Sequence, residues 1–220
     1  MTFLLEKNVF EATKKIILGE AERHPFLIDL SDWLMSTYSI KILNAQFGET
    51  PDRFFIVIES TEDYQKMLIH PFDSFRQKNN PEQETVIINK IKELGRKYNY
   101  ASESRLRDIF IKYNDFSLEA KADVNARAIE EARSSITSKY PTVWHVDIAF
   151  YESVVFYYSD IDIAMNMENG LSEAIEENYF LILKKYDEIN FVTKHNLNLK
   201  FDSKENVDKN FQGNLFYYFR

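Results

Sequence analysis

"SITSKYPTVWHVDIAFYESVVFYYSDIDIAMNM", residues 135–167, decides how the fold is read. It passes from a helix end at Tyr140 through two strand-like segments to Ser159, with Asp162 three positions on. Alternation in "VWHVDIAF" predicts a strand with Trp144, Val146, Ile148 and Phe150 on the apolar face. His145 and Asp147 share the wetter face with Val143 and Ala149. A reversal near Glu152–Ser153 leads to the second strand. A strand followed by Ser, with Asp three residues later, marks a helix start, because the hydroxyl accepts a hydrogen bond from a free first-turn amide.

The same order is read twice more. "WLMSTYSIKILNAQFGETPDRFFIVIESTEDYQKM" (33–67) and "LILKKYDEINFVTKHNLNLKFDSKENVDKNF" (181–211) each leave a helix at a tyrosine, Tyr38 or Tyr186. Each then predicts a strand, a turn ("GETPD", "KHN"), a second strand and a capping serine, Ser60 or Ser203. "RFFIVIES" is apolar on both faces, as a central strand would be. In "NLNLKFD", Leu197, Leu199 and Phe201 alternate with polar residues. Between the first and second segments, "PEQETVIINKIKELGRKY", "ESRLRDIFIKY" and "FSLEAKADVNARAIEEARSSITSKY" read as helices, the last capped by Ser117. "NGLSEAIEENYFLILKKY" is a further helix, starting at Ser172. The expectation is an α+β fold of antiparallel β-hairpins packed with helices, in three degenerate helix–hairpin–helix units with a helical insertion after the first. Without a Pro/Gly/Ser linker, residues 1–220 read as a single domain, subdivided if at all into 1–80, 81–139 and 140–220.

Composition narrows the function classes. The 220 residues carry 27 Lys and Arg against 35 Asp and Glu, a net charge of −8. Such a chain repels a phosphate backbone and favours a basic partner, so nucleic acid is not expected. Cysteine is absent, which removes disulfides, thiolate metal sites and Cys nucleophiles. The first 26 residues lack an apolar run of secretory type, and no stretch approaches the roughly 20 apolar residues that span a bilayer. A soluble, cytoplasmic protein is the expectation.

The candidate chemistry lies in Asp160 and Asp162, with Asp147 as a third carboxylate. Two acids one residue apart share one face of a strand, a common way to hold a metal ion. "SDIDIAM" resembles the "SDID" segment of nucleotidyltransferase-fold enzymes, and that resemblance implies Mg2+ and nucleotide phosphates at Asp160 and Asp162. The glycine–serine turn of those enzymes would fall in "DIAFYESVV", which has no glycine. If Ser159 caps a helix, both aspartates are first-turn residues that complement the helix dipole, and this reading is preferred. His24, His70, His145 and His195 show no metal-ligand spacing, and no phosphate loop or nucleophile motif occurs.

Two aromatic runs, with Tyr157 and Tyr158 in one and Phe216, Tyr217 and Tyr218 in the other, could form a binding surface, or self-associate. The function expected is a non-enzymatic protein-interaction module without cofactor, of a composition that suits an acidic inhibitor or immunity-type protein facing a basic partner. The alternative is a Mg2+-dependent nucleotide or phosphate-ester enzyme.

Overall fold

The computed structural model describes residues 5–50, 52–70, 78–149 and 152–220. The chain divides into two compact units, 1–119 and 120–220, and the division falls inside the 81–139 stretch. The first unit holds α1 (Lys7–Ile17), α2 (Pro25–Tyr38), β1 (Ile42–Phe47), β2 (Arg53–Ile58) and α3 (Thr61–Gln65). It continues with the two-residue strands β3 (Leu68–Ile69) and β4 (Lys78–Asn79), α4 (Pro81–Lys97), α5 (Glu103–Arg107) and β5 (Phe110–Asp115). Helix α6 (Phe116–Lys139) crosses the division. The second unit then has β6 (Val143–Ala149), β7 (Glu152–Tyr157), α7 (Asp160–Glu168) and α8 (Leu171–Tyr186). A 3-10 turn at Lys194–Asn196 precedes β8 (Leu199–Ser203), α9 (Lys204–Asn210) and α10 (Leu215–Tyr218).

The fold is α+β, and each unit carries a three-stranded mixed sheet. An antiparallel hairpin is extended by one parallel strand, in the orders β1-β2-β5 and β6-β7-β8. The registers correspond. Ile58 pairs with Ile42 and Asp115, as Tyr157 pairs with Val143 and Ser203. Each first strand carries a bulge at the same place, between Ile42 and Asn44 and between Val143 and His145.

Helical spacing builds the cores. In the first unit Phe26, Leu27, Leu30 and Leu34 of α2 join Ile87, Ile91 and Leu94 of α4 over Phe54, Ile56, Ile58 and Ile111 of the sheet. In the second, Val124, Ala128, Ala132 and Ile136 stand at four-residue steps along α6. They pack with Ile175, Tyr179, Ile182 and Leu183 of α8 over Val146, Val155 and Tyr157. Burying each such Val, Leu or Ile stabilises by about 1.5–3 kcal/mol. The other face of the second sheet, Val154 and Phe156, is covered by Val207, Leu215, Tyr218 and Phe219 from the C-terminal segment, with Trp144 beside them.

Three expectations are corrected. "ESRLRDIFIKY" is helical only over α5; Phe110–Asp115 is a strand pairing parallel with β2. The third unit is not a hairpin. The Asp187 carboxylate accepts hydrogen bonds from the amides of Phe191 and Val192, both at 3.0 Å, and Thr193 with Asn196 closes a capped 3-10 turn. Local side-chain bonds take the amides that a strand would need, and "NLNLKFD" instead supplies the parallel strand β8. On β6, the bulge sends both Val143 and Val146 into the helix-side core and Trp144 to the opposite cluster, so strict alternation fails there. Phe150 lies outside the described residues.

Candidate functional site

The site is built where β7 and β8, parallel neighbours, end side by side. Tyr157 pairs with Ser203, and both strands pass directly into helices. Ser159 caps α7 as expected: its hydroxyl accepts from the Asp162 amide at 3.3 Å, while the Asp162 carboxylate accepts from the Ser159 amide at 3.0 Å and hydroxyl at 2.8 Å. Ser203 caps α9, accepting from the Asn206 amide at 2.9 Å, and its hydroxyl donates to Asp160 Oδ1 at 2.5 Å. The Asp160 amide donates to Glu205 Oε2 at 3.2 Å. The first turn of α7 thus donates to the Glu205 carboxylate and the Ser159 hydroxyl, and that of α9 to the Ser203 hydroxyl.

Replacing Ser159 with alanine removes the acceptor at the N-cap, and a loss of about 1 kcal/mol is expected in urea melts. Ser159→Thr, which keeps both the acceptor and the hydroxyl that donates to Asp162, should recover most of it. If the alanine variant were as stable as wild type, the cap would contribute nothing.

The first unit has the same junction with the chemistry exchanged. Thr61, first residue of α3, donates through its hydroxyl to Asp115 Oδ2 at 2.5 Å, where Asp115 ends β5. Asp115 caps α6 by accepting from the amides of Ser117 and Leu118, at 3.0 and 3.4 Å, whereas Ser117 was expected to be the cap. The Ser117 hydroxyl itself donates to Asp115 at 2.6 Å. Hydroxyl and carboxylate therefore trade places: Thr61 and Asp115 in one unit stand where Asp160 and Ser203 stand in the other.

Asp147 does not join the pair. It lies opposite Val154 in the hairpin, three residues back along β7 from Tyr157, which places it roughly 10 Å or more from the helix start. Its carboxylate sits 3.4 Å from Arg133 Nη2 and 3.7 Å from His145 Nε2 and accepts the Ile148 amide at 2.9 Å. Burial alone would raise its pKa, but these partners, His145 foremost, hold it below the usual carboxylate value. With Asp162 committed to the cap and Asp147 at the far end, these three residues do not fit a Mg2+ ion. Among the described residues, no group of three His, Asp or Glu side chains could hold a metal.

The aromatic candidates separate. Tyr157, expected on a surface, is wholly buried: its ring stacks on Phe201 at 5.7 Å and its hydroxyl pairs with Ser172 at 2.9 Å. An inward position in the central strand dictates this. Tyr218 is half-buried, donates to Asp202 Oδ2 at 2.6 Å and packs edge-on to Phe156 at 5.0 Å. Burial and the Asp202 carboxylate hold its phenol protonated far above the ordinary range. Tyr158, Phe216 and Tyr217 are exposed.

Sequence reasoning missed the outward face of α7. At 3.6 residues per turn, Ile161, Met165 and Glu168 form one stripe, and Asp160, Ala164 and Met167 the next. Ile161 is 70% exposed, Met165 58% and Met167 62%, while Asn166 is only 4% exposed, its amide donating to Thr142 Oγ1 at 3.3 Å. Ile163 of the same helix packs against the core, so α7 leaves a second, outward apolar face in water. Ile161 stands where the first unit has the exposed Glu62. The stretch of chain that carries α7 is acidic. Between Tyr140 and Leu183 there is no Lys or Arg, while Asp147, Glu152, Asp160, Asp162, Glu168, Glu173, Glu176 and Glu177 all fall there. Among the described residues, Glu168, Glu173 and Glu176 form no ion pair. Compared with known proteins, the chain matches no family model, no curated protein and no solved structure.

Proposed function

We propose that this chain is a non-enzymatic, cytoplasmic protein-interaction module: an acidic inhibitor that docks on and blocks a basic protein, as immunity-type proteins do. The observation that carries this reading is the exposed apolar face of α7, with Asp160 and Glu168 on the same helix and Glu173 and Glu176 on α8, none of them in an ion pair among the described residues. Such a surface speeds encounter with a cationic partner and rejects anionic ones. The net charge of −8 adds a long-range field of the same sign. No helix among the described residues is long and apolar enough to cross a membrane.

The test is affinity capture with the wild-type chain and with Glu168→Gln/Glu173→Gln/Glu176→Gln. The partner expected is basic, binds one-to-one, loses its own activity in the complex and is held at least about tenfold more weakly at high salt or by the variant. The opposing result is a melting temperature raised by Mg2+ or Mn2+ with nucleoside triphosphate and unmoved in Asp160→Asn/Asp162→Asn. That outcome would make the strand-end acids an enzyme's metal ligands.

A further inference from the structure

Resting on the interaction reading above, we propose that the outward face of α7 is the docking centre, and that it takes a cationic amphipathic surface of another protein. Ile161, Met165 and Met167 would enter an apolar patch on the partner, and Asp160, Glu168 and Glu173 would meet Lys or Arg at its rim.

Three observations converge on this face. The first is the make-up of α7, which sets Ile163 and Asn166 inward yet leaves Ile161, Met165 and Met167 in water, an apolar face that folding does not use. The second is internal. The junction of β2, Ser60 and α3 has the register and cap of β7, Ser159 and α7, yet presents exposed Glu62 at the position of Ile161. A polar residue is therefore compatible with the scaffold at that point, and an isoleucine there serves something outside it. The third is charge. Asp160 and Glu168 lie on the helix itself and Glu173 in the first turn of α8, and none of the three forms an ion pair among the described residues. A two-fold contact with a second copy would set these acids against their own equivalents, so the charge selects a cationic occupant. The methionine side chains suit it, because unbranched thioethers adapt to an irregular apolar surface.

The chain's five methionines provide the readout. With 13C-methyl-methionine labelling, Met165 and Met167 report on the face, Met35 is an exposed reference on α2 and Met67 a buried one. The probe is an amphipathic helical peptide of about 18 residues made only of Leu and Lys, with a Leu/Glu peptide of the same pattern as control. Saturable shifts of the Met165 and Met167 methyls with the Leu/Lys peptide are expected, and none with Leu/Glu. Affinity should fall at least about tenfold in Ile161→Glu, the residue type the first unit carries there, with a urea melt of the free variant that matches wild type as proof that the second unit is folded. Shifts confined to Met35, equal binding of both peptides, unchanged affinity in Ile161→Glu, or Met165 and Met167 signals that change on dilution without peptide would each overturn the proposal. Salt-sensitive binding of the Leu/Lys peptide away from α7 would leave the acidic-module reading standing and remove only this site. No binding of it at all would count against both.

Discussion

Replacing Phe156 with alanine is expected to lower the free energy of unfolding by about 3–5 kcal/mol. Phe156 lies in the middle strand of the second sheet, fully buried, and it is the hub of that sheet's outer face. Its ring stands edge-on to Tyr218 at 5.0 Å, to Trp144 at 6.0 Å and to Phe219 at 6.3 Å. Each such pair adds about 0.5–1.5 kcal/mol beyond the area buried. The cluster is small, with Val154 and Val207 as its other buried members, so little can collapse into the space left. Urea melts followed by the fluorescence of Trp144, in a Trp33→Phe background that leaves it as the sole tryptophan, would read both the loss and the release of α10. Phe216→Ala, four residues from the chain end and exposed, should stay within about 0.5 kcal/mol of wild type. A loss below about 1 kcal/mol for Phe156→Ala would mean that the C-terminal segment is not seated on β7.

The second large effect comes from the exchanged hydroxyl–carboxylate pair. Ser203→Asp should cost about 3 kcal/mol or more, because position 203 is fully buried and its hydroxyl already faces the Asp160 carboxylate. The new aspartate can still cap α9, as Asp115 caps α6, so loss of the cap is not the cause. Repulsion raises the pKa of the carboxylate pair in the folded state. The penalty is therefore present at neutral pH and is relieved as pH falls through that raised value. Adding Asp160→Thr rebuilds the arrangement of Thr61 and Asp115, and the double variant should return to within about 1 kcal/mol of wild type. A double variant no more stable than the single would show that the two junctions are not interchangeable.

Much of the fold was legible in local pattern. Ser60, Ser159 and Ser203 each cap a helix where the sequence placed one, and the hairpins around "GETPD" and Glu152 follow from alternation. What local pattern hides is partnership across long stretches of chain. Ile109, Ile111 and Tyr113 alternate as a strand should, but the helical "ESRLR" beside them invited one continuous helix. "NLNLKFD" supplies a strand from Leu199 onward, yet its parallel partner β7 lies in another segment, and the hairpin expected across "KHN" does not form. The candidate acids were legible because a helix cap is a local device. The face of α7 was not, since exposure of Ile161 and Met165 depends on which side of the helix meets β8 and α8.

The parallel strand that completes each sheet also sets the order of events during folding. The hairpins β1–β2 and β6–β7 join near neighbours, while β5 and β8 arrive about 50 residues later, after two or more helices have been laid down. Until then β2 and β7, the most apolar strands, have one edge of unpaired amides and carbonyls open. Closure against a distant strand is the slow kind of contact, so the rate-limiting step falls after hairpin formation. The interval before it is the period in which this protein is most exposed to strand insertion by a neighbouring chain. In the finished fold that edge is covered in both sheets, and the hazard belongs to the path rather than to the product.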